Sequence, residues 1–208
     1  MKRIIIPFIL IVSLLSSTHA SADVLSWGLT GGMNISKINF KEKDVQDIAK
    51  PDAKSGWYVG VMGIVSLPVL GFGIDGALTY SQEKVNVTED MKDETAKFIS
   101  VPLHVRYDFK LPVVEKMVVP VLFAGPQFNY ATNDLKLAYK DGTDAEAVIK
   151  KTNSWRMDLG LGATLFNHVQ ITYSYGIPMT DRKFESIIDT ETYTFKQGAH
   201  RIGLAILF

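Results

Sequence analysis

The chain has 208 residues, 22 basic and 22 acidic side chains, and no cysteine. That balance offers no basic surface to nucleic acid, and the lack of thiols excludes both a disulfide framework and cysteine chemistry.

At the N-terminus, Lys2 and Arg3 precede an apolar run from Ile4 to Leu15, and Ser16-Ser17-Thr18-His19 leads into the small-x-small sequence Ala20-Ser21-Ala22. These regions make up a secretory signal peptide, expected to be cut after Ala22. Twelve residues in the run are too few for a spanning helix, which needs ~20. No cysteine follows to carry a lipid anchor. Residues 1–22 are therefore read as the signal peptide and 23–208 as one domain. Without Lys2 and Arg3, the mature chain of 186 residues carries 20 basic against 22 acidic groups. No later stretch is apolar for long enough to cross a membrane as a helix, so an exported chain of this kind is either soluble or a barrel.

Period-two alternation decides between them. Leu25 to Ile38 sets Leu25, Trp27, Leu29, Met33 and Ile35 against Ser26, Thr30, Asn34 and Ser36. Gly56 to Leu67 carries Trp57, Val59, Val61, Val65 and Leu67 on one face, although Met62 and Ile64 make the other partly apolar. Phe72 to Val87 opposes Phe72, Ile74, Leu78 and Tyr80 to Asp75, Thr79 and Ser81. The pattern is cleanest from Lys97 to Phe109, where Ile99, Val101, Leu103, Val105, Tyr107 and Phe109 alternate with Ser100, His104, Arg106 and Asp108. Val118 to Thr132 is the least regular, being apolar on both faces and interrupted by Pro120 and Pro126. Ser154 to Phe166 places Trp155, Met157, Leu159, Leu161 and Leu165 against Arg156, Asp158 and Thr164. Val169 to Ile177 sets Val169, Ile171, Tyr173, Tyr175 and Ile177 against Gln170, Thr172 and Ser174. The eighth run, Gly198 to Phe208, has His200, Ile202, Leu204, Ile206 and Phe208 on one face and ends the sequence on an aromatic residue.

Most of these runs approach the ~9–11 residues of a tilted membrane strand. Their connections alternate in length, from long Asn39–Ser55 to short Pro68–Gly71, then Thr88–Ala96, Lys110–Met117, Asn133–Asn153, the tight Asn167-His168 and Met179–Gln197. An up-and-down barrel with short periplasmic turns and longer extracellular loops predicts that order. Trp57, Tyr80, Phe98, Tyr130, Trp155 and Tyr175 are expected near the outer rim, and Trp27, Phe72, Phe109, Phe166 and Phe208 near the inner one, as two aromatic belts.

The fold class read from this pattern is all-β, an eight-stranded antiparallel up-and-down transmembrane β-barrel. The polar faces collect Asp75, His104, Arg106, Asp108, Arg156, Asp158 and Arg201, near-balanced in sign, which suits a closed interior of paired charges. Eight strands leave room for little more than side chains, so a plugged lumen with a structural charge network is expected over a proton or ion path. A soluble ligand-carrying barrel is the competitor that reverses the two faces. Gly71-Phe72-Gly73-Ile74-Asp75-Gly76 has the dinucleotide-binding spacing, but a strand pattern follows instead of a helix, so it forms no phosphate cradle. The histidines, His19, His104, His168 and His200, show no metal-ligand spacing and no triad placement. No cofactor, metal or catalytic residue is assigned, and no enzyme is expected.

The terminal run resembles the C-terminal strand signature of bacterial outer-membrane β-barrels, in which a final Phe, here Phe208, is an insertion signal read by the barrel-insertion machinery. Gly28-Leu29-Thr30-Gly31-Gly32-Met33-Asn34, Phe98-Ile99-Ser100-Val101-Pro102-Leu103-His104-Val105-Arg106-Tyr107 and Pro120-Val121-Leu122-Phe123-Ala124-Gly125-Pro126 together resemble the PorT-type outer-membrane β-barrel family abundant in Bacteroidetes. That resemblance implies an OmpA/OmpX-like barrel in the outer membrane of a Gram-negative bacterium. It offers no catalytic residues, and one branch is associated with protein secretion. The expected role is a monomeric scaffold presenting four extracellular loops, in contact with outer-membrane lipid and lipopolysaccharide and open to a protein partner at Asn133–Asn153 and Met179–Gln197. A narrow pore, a secretion-associated protein and a lipid A-modifying enzyme are the alternatives.

Overall fold

Alternating residues commit a segment to a strand when one face must meet lipid and the other a polar interior. A computed structural model describes residues 24–40, 54–67, 70–85, 94–110, 117–137, 147–149, 152–186 and 192–208, so the expected signal peptide lies outside the described residues. Eight long strands form the wall: β1 (Leu25–Phe40), β2 (Lys54–Ser66), β3 (Phe72–Val85), β4 (Glu94–Asp108), β5 (Val118–Ala131), β8 (Ser154–Leu165), β9 (Val169–Pro178) and β11 (Thr192–Leu207). Each pairs antiparallel with the next, and β1 pairs with β11 to close the sheet.

Closure rests on backbone and rings together. β1 and β11 stay in register from Gly28 opposite Leu207 to Phe40 opposite Phe195. At the seam's lower end, Phe208 N donates to Trp27 O at 2.7 Å, and the two rings lie 4.9 Å apart. Outside, the wall is apolar; inside, it is polar. On β4, Leu103 and Val105 are 55% and 60% exposed, whereas the intervening His104 and Arg106 are 8% and 3% exposed. The polar-face residues named for the runs of β3, β4 and β8 are all buried inside the wall, which rules out the soluble barrel with a greasy interior.

The ends of the barrel differ as the connection lengths require. Phe166, Asn167 and His168 turn β8 into β9, with His168 N donating to Leu165 O at 3.0 Å and positive φ at Phe166 (50°) and Asn167 (60°). Asn accepts that left-handed backbone readily, and a bulky Phe does so rarely. Gly71 closes the β2–β3 turn at φ 70°, so the Gly-rich stretch forms a turn and the start of a strand, with no helix to face a phosphate.

Three features correct the sequence reading. The connections Asn133–Asn153 and Met179–Gln197 hold further strands, β6 (Leu135–Leu137), β7 (Ala147–Ile149) and β10 (Arg182–Ser186), which continue the sheet from β11 through β10 and β7 to β6. β11 itself begins at Thr192, before the expected Gly198. The added strands β6, β7 and β10 are only three, three and five residues long, too short for period-two alternation to identify them. Phe98, expected in the outer belt, is instead 2% exposed and points inward, because it shares the even parity of Ser100 and His104. Finally, the prolines do not break β5; Pro120 and Pro126 stand on the outward parity. The β4–β5 ladder skips the Leu103/Pro126 and His104/Gly125 positions and then resumes, as expected where a residue has no N–H to give.

Glycine matters most at the seam. A Cβ on Gly32 would meet the backbone oxygen of Ile202, and Tyr58 Cε1 at 2.9 Å, whereas nothing stands within 4 Å of a Cβ on Gly63. Gly32→Val should cost about 1–3 kcal/mol through overpacking, read as a lower urea midpoint after refolding into lipid vesicles, with Gly63→Ala close to wild type. Equal midpoints for the two variants would show that the seam tolerates the added side chain.

Candidate functional site

The site is the interior, and each inward side chain is placed there by strand parity. Nearest the loop end, the carboxylate of Glu83 on β3 is a hub. Arg156 of β8 donates to it through Nη1 and Nη2, both at 3.1 Å, Asn34 Nδ2 of β1 at 3.1 Å, Ser36 Oγ at 2.8 Å and Gln197 Nε2 of β11 at 2.9 Å. A bidentate guanidinium–carboxylate pair is the strong geometry for an ion pair, and this one is supported by three neutral donors. All five residues are buried.

Deeper in the barrel the interactions form a chain. His104 lies between two carboxylates, with Nδ1 2.8 Å from Asp75 Oδ1 and Nε2 3.4 Å from Asp158 Oδ2. Asp158 also faces Arg201 Nη1 at 3.9 Å. Arg201 donates to Gln127, which in turn donates to Asn129, while its guanidinium sits 4.2 Å from the centroid of the Tyr58 ring. That ring supplies a cation–π contact in place of another carboxylate. Ser100 Oγ reaches Asn129 Oδ1 at 2.8 Å.

Towards the turn end, Arg106 Nε and Nη2 donate to Asp108 Oδ1 at 3.0 and 2.8 Å, and Nη1 lies 3.8 Å from Asp75 Oδ2. Here the lining becomes partly apolar: Ile64, Ala205 and Leu207 pack together with Met62 against them. A cavity of about 70 Å³ is bordered by Tyr58, Asp75, His104, Asp158 and Arg201 among others. Asp158 Oδ1 and Arg201 Nε, atoms of residues on its border, have no hydrogen-bond partner among the described residues. The space reaches these polar atoms and is large enough for a few ordered waters to satisfy them.

The structure brings Asp75, His104, Arg106, Asp108, Arg156, Asp158 and Arg201 into this one interior and links them unevenly. Asp75, His104, Asp158 and Arg201 form a continuous string, and Arg106 with Asp108 joins it through Asp75. Arg156 pairs with Glu83, which was not among the sequence candidates. Glu83 continues the odd-numbered inward parity of Asp75, Thr79 and Ser81, and that was the signal that could have found it. With it, the interior holds four carboxylates (Asp75, Glu83, Asp108, Asp158) against three arginines and His104. Among the described residues, no group of three or more His, Cys, Asp or Glu side chains is placed to hold a metal ion.

Removing one partner of the hub leaves a buried charge unmatched, at a cost of ~3–5 kcal/mol. Glu83→Ala should therefore destabilise the refolded barrel by that amount in urea titration. Glu83→Ala combined with Arg156→Met should recover most of the loss, and a double variant as unstable as the single one would show that the charge imbalance is not the cause.

Comparison with known proteins places this geometry in a family. No curated protein sequence matches the chain. Among solved structures, the outer membrane protein OprG of Pseudomonas aeruginosa superposes with a TM-score of 0.56 at 14% identity, over 89% of this chain and 97% of that one. Neisserial surface protein A gives 0.46 at 14% identity over 86% and 96%, and Ail, the attachment invasion locus protein of Yersinia pestis, gives 0.44 at 12% over 88% and 98%. The likeness to OprG is one of fold. The family model described as the outer membrane protein beta-barrel domain matches residues 8–208. With its apolar outer wall, its closed sheet and that match, the chain belongs to the outer-membrane β-barrel domain family and is a protein of the outer membrane.

Proposed function

We propose that this protein is a monomeric scaffold with a plugged lumen, acting through what it displays beyond the membrane. The observation that carries the reading is the Glu83 hub, which ties β1, β3, β8 and β11 across the interior through Asn34, Ser36, Arg156 and Gln197. Below it, the open volume is about 70 Å³, room for waters and little else. The displayed part is the sheet extension of β10, β7 and β6, carried by the connections 133–153 and 179–197. These are the surfaces offered to a protein partner or to lipopolysaccharide, since function on rigid scaffolds commonly sits on their loops.

The strand patterns around Gly28–Asn34, Phe98–Tyr107 and Pro120–Pro126 support a place in the PorT-type branch. Phe208, ring to ring with Trp27 at the seam, is assigned as the insertion signal for the barrel machinery. The reading includes no catalysis. Asp75 and Asp158 engage His104 inside the wall, Tyr173 Oη lies 2.7 Å from His200 Nδ1 on the outer wall, and His168 Nδ1 lies 2.6 Å from Phe166 O in a turn.

Planar-bilayer recording is the direct test. The refolded protein should give no steady channel openings, and steady openings would overturn the plugged lumen. Replacing residues 135–149 by a short turn should leave the heat-dependent gel shift of a folded barrel intact; its loss would make that segment structural. Lipid A from cells expressing the protein should keep its mass, and a shifted mass would reinstate the enzyme.

A further inference from the structure

Charge on the outward wall is confined to its rims, and one part of the outer rim is arranged as a ledge. Val59, Tyr80, Ile99 and Tyr130 stand outward side by side on β2 to β5, and Trp57, level with Gln82, sets its ring 5.8 Å from that of Tyr80. One step further from the membrane centre, Gln82 stands opposite Lys97, and beyond it Lys84 stands opposite Thr95. Gln82 Nε2 donates to Tyr80 Oη at 3.0 Å, so its amide rests on the belt.

The backbone beneath Lys97 is fixed on both sides. Thr132 N and Oγ1 donate to Lys97 O at 2.9 and 3.1 Å, and Asn133 Oδ1 accepts from Lys97 N at 2.8 Å while its Nδ2 donates to Thr95 O at 2.9 Å. Lys84 and Lys97 are both exposed. They are diagonal neighbours across the β3–β4 ladder, a spacing of roughly 7–8 Å between attachment points, so both ammonium groups can reach one anion. Neither pairs with a carboxylate among the described residues. Glu83, next to Lys84 in sequence, points inward and is taken by Arg156.

Two cations without a carboxylate partner among the described residues, just above an aromatic belt, would meet the anionic headgroup layer of the membrane, where lysines near an interface are drawn to charged lipid. Gln82 and Thr132 add neutral polar groups, and Tyr80 and Tyr130 add ring faces, which suit a sugar better than a bare phosphate ester. We infer that the ledge formed by Lys84, Lys97, Gln82 and Thr132 over Trp57, Tyr80 and Tyr130 binds the phosphorylated sugar headgroup of an outer-leaflet glycolipid. This site lies on the lipid-facing wall and does not depend on the loop surfaces assigned above.

The test is native mass spectrometry of the full folded chain released from detergent micelles after incubation with bisphosphorylated lipid A, dephosphorylated lipid A or phosphatidylglycerol. Wild type should retain bisphosphorylated lipid A at least tenfold more than either other lipid. K84Q/K97Q should lose at least tenfold of that retention, K84R/K97R should keep it, and K110Q, at the opposite rim, should match wild type. A heat-dependent gel shift for each variant checks folding, and the lipid comparison on wild type stands even where a variant fails to fold. Equal retention of phosphatidylglycerol would show a general anionic surface, and equal retention of the dephosphorylated lipid, or by K84Q/K97Q, would show apolar adhesion; any of these overturns the proposal.

Discussion

A sheet in hydrocarbon cannot have an edge, because every unpaired N–H and C=O there lacks water to bond. The pairing of β1 with β11 is the one interaction that removes the edge, and it joins the first and last of the described strands. Its lower terminus is held by Trp27 and Phe208 through both backbone and ring contact, and Leu207 N bonds His168 O at 2.7 Å across to the β8–β9 turn. A terminal residue that would fray in a soluble domain is therefore pinned. The apolar wall, the narrow interior and the meeting of the start of β1 with the end of β11 at the short-turn rim all follow from closing eight strands in this way.

Closure passes a second constraint to the interior. Eight strands enclose a space that side chains nearly fill, and the lipid takes the apolar residues of each strand. What remains inside is mostly polar and must satisfy itself. The solution is cross-strand: Glu83 receives donors from three other strands, and Asp75 and Asp158 hold His104 between them. Such pairs are weak evidence of added stability, since burying ions is costly, but they discriminate strongly between registers. A one-residue slip of β8 would turn Arg156 towards lipid and Trp155 inward, because side chains alternate with period two. The charges and the wall thus specify the same pairing twice.

The same physics explains what could be read from the sequence. β4 was legible in full from Ile99 to Phe109 because each of its faces meets a single medium. The interior set from Asp75 to Arg201 followed from that parity. Glu83 was missed although it lies inside the expected run Phe72 to Val87, because the polar face of that run was followed only as far as Ser81. Phe98 was assigned to the wrong face by its aromatic character against its even parity. β6, β7 and β10 were illegible for a different reason: three to five residues are too few to show period-two alternation, and a strand that leaves the membrane is not held to that pattern.

Those two regimes also divide the surface available to evolution. Within the membrane, a change on either face meets lipid or a filled interior, so parity restricts the residue type at almost every position, and Gly32 and Tyr58 show how closely the interior is fitted at the seam. Beyond the belts the restriction lapses, and residues can be chosen for what they touch. Lys84 and Lys97 stand at that boundary: they keep the outward parity of the wall but are free of its apolar requirement. On the reading proposed here, recognition is displaced to this boundary and to the strands above it because the closed, charge-filled interior leaves no room for it.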